Sequence, residues 1–171
     1  MHKGYIQINT GDGKGKTTAA LGTAVRTLVS GKTVFFGQFI KGVETGELRL
    51  SEYFPNFEIE QFGKGCFIFD EPTESDIKIA REGLNRCSEI LSSGDYSLVV
   101  LDEINVAIYY GLLKTDEVIK VLSEKAENTE VILTGRYAPK ELIELADLVT
   151  EMKKVKHYFD NGVKARRGIE Y

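Results

Sequence analysis

Residues 11–18 read GDGKGKTT, between an alternating run at 5–9 (YIQIN) and a stretch at 17–29 that sets Ala20, Leu21, Ala24, Val25 and Leu28 on one helical face. A glycine-rich loop joining a strand to a helix brings backbone amides and a helix N-terminus within reach of phosphate oxygens. Gly11, Gly13 and Gly15 allow the close approach, Lys16 meets the charge, and Thr17 offers a hydroxyl to Mg2+ at the start of the helix. Asp12, Lys14 and Thr18 complete the loop. The usual spacing would place glycine at position 10, where this chain has Thr10 with Gly11 beside it. The strand–loop–helix context outweighs that departure, and ATP is the expected ligand.

Outward from the loop, Gly31 ends the helix in the manner of a left-handed cap. Residues 33–39 (TVFFGQF) form a nearly continuous β-branched and aromatic run, as in a strand covered on both faces. A polar, glycine-bearing segment at 41–52 suits a mobile surface, and 57–62 offers a further short strand. Ile77, Ala80, Leu84, Cys87 and Leu91 recur at helical spacing, with Thr73 as cap and Gly94 as stop. The run at 96–101 (YSLVVL) reads as a buried strand leading into Asp102 and Glu103. A helix is expected at 116–127, a strand at 130–134, and a helix begun by its proline at 139–146. The tail from 148 reads as one short strand and then a basic loop punctuated by glycine. Strands alternating with helices imply an α/β fold, a mainly parallel sheet with helices on both faces, and ligands at the carboxyl ends of the strands.

The chain of 171 residues fits one domain with one core, and no linker, repeat or low-complexity stretch divides it. A net charge of −4 argues against nucleic acid held by non-specific phosphate contacts. No stretch approaches the about 20 apolar residues of a membrane span. Cys66 and Cys87 lack CxxC spacing, and no secretory or transit pattern opens the chain, so both are expected to be plain thiols in a reducing cytoplasm.

Among residues that could carry chemistry, Asp102 and Glu103 emerge from the hydrophobic run VVLDE, where carboxylates hold Mg2+ directly or through water; the alternative is a helix cap or a solvated strand end. Arg26, Arg136 and the cluster Lys164, Arg166 and Arg167 offer guanidinium or ammonium groups to a polyphosphate. His157 has no triad or metal set beside it in sequence and reads as structural. Phe67 and Phe69, two apart in a Gly-flanked loop, are either packed strand residues or a surface for a flat ligand, and from the residues alone packing is favoured.

Taken together, GDGKGKTTAALG, QFIKG (38–42), VVLDE (99–103), LTGR (133–136) and VKHYFDNGVKARRGIEY (155–171) resemble the ATP:corrinoid adenosyltransferases of the bacterial cobalamin-pathway type. The resemblance runs from about residue 5 to 171. It implies a single P-loop NTPase-like nucleotide-binding domain over 1–171, working as a homodimer, that moves the 5′-deoxyadenosyl group of MgATP to the cobalt of a reduced corrinoid and releases triphosphate. ATP is implied to lie reversed in the loop, with its phosphates held at Gly11 to Thr18, Arg26 and Arg136, and Lys16 and Glu103 acting catalytically. Thr17, Glu103 and Asp102 would hold the Mg2+. Phe67 and Phe69 match an aromatic pair that displaces the lower ligand of the corrinoid, although the second of the pair is commonly Trp. A flavodoxin-type reductase is the implied electron donor. Relatives often carry an extra N-terminal helical segment, whereas the first strand here begins by about residue 5, so a more open nucleotide site is expected.

Two other readings fit the loop alone. A phosphotransferase or NTPase would use ATP in the ordinary orientation and release ADP, but the sequence shows no arginine-finger pattern and no acceptor motif. A non-catalytic carrier would bind ATP and corrinoid and deliver one of them to a partner.

Overall fold

In a computed structural model, which describes residues 3–65 and 71–171, the apolar runs become one sheet. Its strands are β1 (Ile6–Thr10), β2 (Val34–Lys41), β3 (Phe57–Gly65), β4 (Leu98–Asp102), β5 (Glu130–Thr134) and β6 (Leu148–Glu151). They lie in the order β3-β2-β4-β5-β1-β6, and every pairing is parallel. The helices are α1 (Lys16–Val29), α2 (Leu50–Tyr53), α3 (Glu74–Ser93), α4 (Ile104–Tyr109), α5 (Thr115–Ser123) and α6 (Lys140–Leu145).

The central strands are mostly apolar because both of their faces are covered, with polar residues concentrated toward their carboxyl ends. Val34, Phe36, Leu98, Val100 and Ile132 pack with Ala20, Ala24 and Leu28 of α1. Their neighbours Phe35, Phe39, Val99, Leu101, Val131 and Leu133 pack on the other face with residues of α3, α4, α5 and α6. Each large side chain fully removed from water in these layers contributes about 1.5–3 kcal/mol before chain entropy is counted. Small residues on the inner stripe of α1 let that helix lie close to the sheet, which fixes the direction in which its N-terminus points.

Helix ends follow local chemistry. Thr73 caps α3 in a reciprocal box with Asp76, accepting from the Asp76 amide at 3.3 Å while the Asp76 carboxylate accepts from the Thr73 amide at 3.0 Å. Gly94 closes α3 in the left-handed region at φ 74°. The 41–52 segment is more ordered than its polarity suggests. It holds a 3-10 turn (Gly46–Arg49) followed by α2, and Leu50 and Phe54 pack against the α1-side core. Periodicity marks no helix between 103 and 116, yet α4 forms there, with Ile104, Asn105 and Ala107 buried. Cys87 is a buried thiol whose pKa burial pushes up, in keeping with a plain packing role.

Topology gathers the site. The chain leaves β1 and passes over the positions later filled by β5 and β4 to build β2 and β3, then returns through β4 and β5 to lie against β1. The carboxyl ends of β1, β2, β4 and β5 thus meet where the strand order reverses, the place at which open α/β sheets bind ligands.

Candidate nucleotide site

Helix α1 starts directly after Gly15, whose φ of 120° is open to glycine and strained for other residues. The amides of Lys16, Thr17 and Thr18 precede the first helical bond, from Ala19 to the Gly15 carbonyl at 2.8 Å, and so have no partner within the helix. Together with the positive end of the helix dipole they make an anion-binding end. Lys16 is buried, and its ammonium turns back to donate to the Gly13 carbonyl at 2.7 Å. Burial, then the nearby Arg136 charge, lowers its pKa, opposed by Glu103, Asp12 and Asp102. A polyphosphate would bring to this ammonium the charge it now lacks.

Gly11 and Gly13 are explained differently from Gly15. The chain leaving β6 runs beside the loop: the Met152 amide donates to Thr10 at 2.8 Å, and its carbonyl accepts from the Gly13 amide at 2.6 Å. A side chain at Gly11 would strike the Met152 carbonyl, and one at Gly13 would come within 2.7 Å of it. These glycines therefore admit a neighbouring strand, and the Gly13 amide is already used. Asp12 serves the same junction, accepting from the Lys154 amide at 3.0 Å, a bond that lowers its pKa. Exposed Lys14 donates to the Ile169 carbonyl at 3.0 Å and faces Glu170 at 3.9 Å, tying the loop to the tail.

Asp102 is the hub. It is fully buried, and its Oδ1 accepts from the hydroxyls of Thr17 at 2.8 Å and Thr134 at 2.6 Å. Its Oδ2 accepts from the Lys41 ammonium at 2.8 Å and the Gln38 amide at 3.2 Å. The solvated-end and helix-cap alternatives for this residue do not hold. With both oxygens engaged, direct ligation of a cation by Asp102 would require breaking one of these bonds, whereas binding through Thr17 leaves them intact.

Glu103 occupies the N-cap position of α4 at φ 59°, with no capping bond from its side chain. Its amide donates to Thr134 at 3.0 Å. Burial, then the Asp102 charge beside it, raises its pKa, against the pull of Lys41, Lys16 and Arg136. The Thr17 hydroxyl and the Glu103 carboxylate are hard oxygen donors. Among the described residues no three His, Cys, Asp or Glu side chains form a metal cage. Such a donor pair fits Mg2+, which takes its remaining ligands from phosphate and water.

Of the arginines, Arg136 follows β5 beside the loop, where its charge acts on Lys16, Glu103 and Asp12. Arg26 is not brought there. It lies exposed in the last turn of α1, about 15 Å along the axis from Lys16 at about 1.5 Å rise per residue. In the tail, Arg166 pairs with Glu170 at 3.2 Å and lies over the Tyr158 ring at 4.9 Å, while Lys164 and Arg167 are exposed. His157 is structural: its Nδ1 accepts from the Phe159 amide at 3.0 Å and caps the 3-10 turn Tyr158–Asn161. Phe67 and Phe69, with Cys66, lie outside the described residues.

Three hub residues, Gln38, Lys41 and Thr134, were not singled out from sequence, though QFIKG and LTGR contain them. The available signal was their position at the carboxyl ends of strands that converge on VVLDE.

Comparison with known proteins accords with this geometry. The family model for ATP:corrinoid adenosyltransferase BtuR/CobO/CobP matches residues 2–171. The corrinoid adenosyltransferase of Escherichia coli K12 is 41% identical over 172 residues, covering 99% of this chain and 86% of that protein. Those of Sinorhizobium sp. and Salmonella typhimurium LT2 are 40% and 39% identical, over 99% of this chain and 81% and 86% of theirs. With a phosphate loop, its hydroxyl partner and a buried acid hub in one place, and a match along nearly its whole length, the chain belongs to the ATP:corrinoid adenosyltransferase family.

Proposed function

We propose that this chain transfers the 5′-deoxyadenosyl group of MgATP to the cobalt of a reduced corrinoid. In this reaction the electron pair of Co(I) attacks ribose C5′, a Co–C bond forms, the C5′–O5′ bond breaks, and its electron pair leaves on triphosphate. The attacking atom belongs to the substrate, so the protein need supply no nucleophile. Its work is to hold C5′ in line and to stabilise the charge growing on the leaving oxygen.

The observation that carries this reading is the buried Lys16 ammonium at the N-terminus of α1, in a chain that matches the family along 2–171. Lys16 and the amides of residues 16–18 would grip the phosphate chain, with Lys14 and Arg136 beside them. ATP would lie reversed, its γ-phosphate anchored and C5′ directed outward. Bound at Thr17 and Glu103, Mg2+ supplies charge neutralisation of the triphosphate. On the resemblance alone, Phe67 and Phe69 are assigned to corrinoid binding.

The same reading includes a homodimer, a cytoplasmic setting and a flavodoxin-type reductase as donor. Among the described residues no helix is long and apolar enough to cross a membrane. Leu148 and Val149 on the edge strand β6 are exposed, as a surface covered by a second copy would be. Sedimentation at micromolar concentration should give twice the 19.1 kDa chain mass, and a monomer would remove the dimer from the proposal.

The function is tested by anaerobic incubation of the protein with MgATP and chemically reduced cobalamin. A light-sensitive adenosylated product should form with the unaltered protein and form about 10²- to 10³-fold more slowly with Lys16→Ala. Undiminished turnover by Lys16→Ala at saturating MgATP would overturn the assignment of the loop.

A further inference from the structure

Lys41 reaches the site through a break in its own strand. Strict alternation along β2 would send residue 41 to the face occupied by Phe35 and Phe39, opposite Gln38. The register with β3 instead shifts between Phe39 and Lys41: Ile40 alone on β2 stands opposite two residues, Gly63 and Lys64, on β3. At the break Ile40 adopts φ 69°, a left-handed conformation unusual for a β-branched residue. A side chain at Gly63 would run into the Ile40 carbonyl, and the Gly42 amide donates to Gly65 at 2.8 Å, so glycines on both strands make room for the bulge. Beyond it, Lys41 converges with Gln38 on Asp102 Oδ2 and lies 3.6 Å from Glu47. Gln38 in turn donates to Glu47 at 2.8 Å.

Strain at such a position needs a compensating role. The Lys41 ammonium has a carboxylate on each of two sides, Asp102 at 2.8 Å and Glu47 at 3.6 Å. That charge is spent on Asp102, whose other oxygen receives the Thr17 hydroxyl proton.

We infer that Lys41 is a positioning residue of the nucleotide site. Its ammonium holds Asp102 as a fixed acceptor, so the Thr17 hydroxyl donates inward and turns its oxygen lone pairs toward the cation of MgATP. Lys41 acts on the metal through Asp102 and Thr17 and makes no contact with phosphate. The inference rests on reading residues 11–18 as the polyphosphate site and is independent of the corrinoid step.

Calorimetric titration of ATP across a series of Mg2+ concentrations, without corrinoid, tests it. Lys41→Met should raise the Mg2+ concentration needed for tight binding by about 10- to 100-fold, the usual effect of removing a partner of a metal ligand. Binding of ATP in excess EDTA should stay within about threefold, because the ammonium makes no phosphate contact and its charge is already balanced by Asp102 and Glu47. In the paired variant Lys41→Met with Asp102→Asn, the oxygen of the introduced side-chain amide can still accept from Thr17, and no buried charge is left alone. This variant should return the Mg2+ requirement to within about tenfold of the unaltered protein. If Lys41→Met alone does not fold, Lys41→Gln is titrated in its place, with the same rise in the Mg2+ requirement expected and an unchanged requirement overturning the inference. Equal weakening of ATP with and without Mg2+ would show a direct phosphate contact. An unchanged Mg2+ requirement alongside a lowered Tm would show a purely structural lysine. Either result overturns the inference. Failure of the unaltered protein to bind MgATP would instead sink the reading of the loop.

Discussion

Two carboxylates in this molecule are each surrounded by several donors, one inside and one outside. Asp102 is fully buried and takes two hydroxyls, an amide and an ammonium. Glu170, in the exposed tail, accepts from the Arg166 amide at 2.7 Å, from its guanidinium, and from the Tyr158 hydroxyl. On a drawing the two look alike, but water separates them. A fully buried charge stripped of its partner has nothing to replace it, whereas one that water still reaches, as it reaches the 15% exposed Glu170 side chain, is partly rehydrated and screened. The inner hub therefore carries the site, and the outer one folds a tail onto the loop through Lys14.

The largest way to break that comparison is Asp102→Ala. It removes the nearest partner of the half-buried Lys41 ammonium and the common acceptor of Thr17, Thr134 and Gln38, and should cost about 3–5 kcal/mol in urea denaturation. A loss no greater than that of Glu170→Gln would erase the distinction between the hubs. Next comes Lys16→Ala, which leaves the hub in place and should slow adenosyl transfer by about 10²- to 10³-fold, the scale of one lost charge-stabilising donor. Its urea midpoint should change far less than that of Asp102→Ala. Thr134→Val keeps shape while deleting a hydroxyl that donates to Asp102 and accepts from the Glu103 amide. A loss of about 1–3 kcal/mol is expected, since it leaves buried groups unsatisfied.

The smallest effect belongs to the tail. The bonds from Arg166, and then from Tyr158, hold the Glu170 carboxyl down to about 2, against an ordinary value of about 4.3. A depressed carboxyl contributes fully above its unfolded value and loses that contribution as pH falls through the folded one. Hydrogen-exchange protection at 158–171 should thus be complete near neutrality and fall as pH drops from about 4.3 toward 2. Glu170→Gln should remove that pH dependence with no measurable shift of the global Tm. Protection that does not change across this window would mean that the tail is held by something other than Glu170.

Much of the fold was legible because period and punctuation agreed. The runs TVFFGQF and SLVVL are nearly continuously apolar, as strands covered on both sides tend to be, and Thr73 and Gly94 bound α3 as their chemistry requires. The loop and its acid partner were legible for the same reason: GDGKGKTT and VVLDE stand at the ends of such strands. Lys41 was not, because the left-handed turn at Ile40, opposite the extra residue on β3, reverses the face that alternation assigns to it. The division of labour between Asp102 and Glu103 was also hidden, since it depends on which of two adjacent acids faces Thr17, Thr134 and Lys41 across strands distant in sequence. Gly11 and Gly13 were legible as points of close approach, but the approaching group is Met152, more than a hundred residues away. Arg26 shows the limit of composition: a guanidinium can suit phosphate and still lie at the far end of a helix.

The claim that the loop anchors a leaving triphosphate is tested most directly by the phosphate product of a single anaerobic turnover with MgATP and reduced cobalamin. Intact triphosphate, equimolar with the adenosylated corrinoid, is the predicted result. ADP and inorganic phosphate as the primary products, with no cobalt–carbon bond, would contradict it.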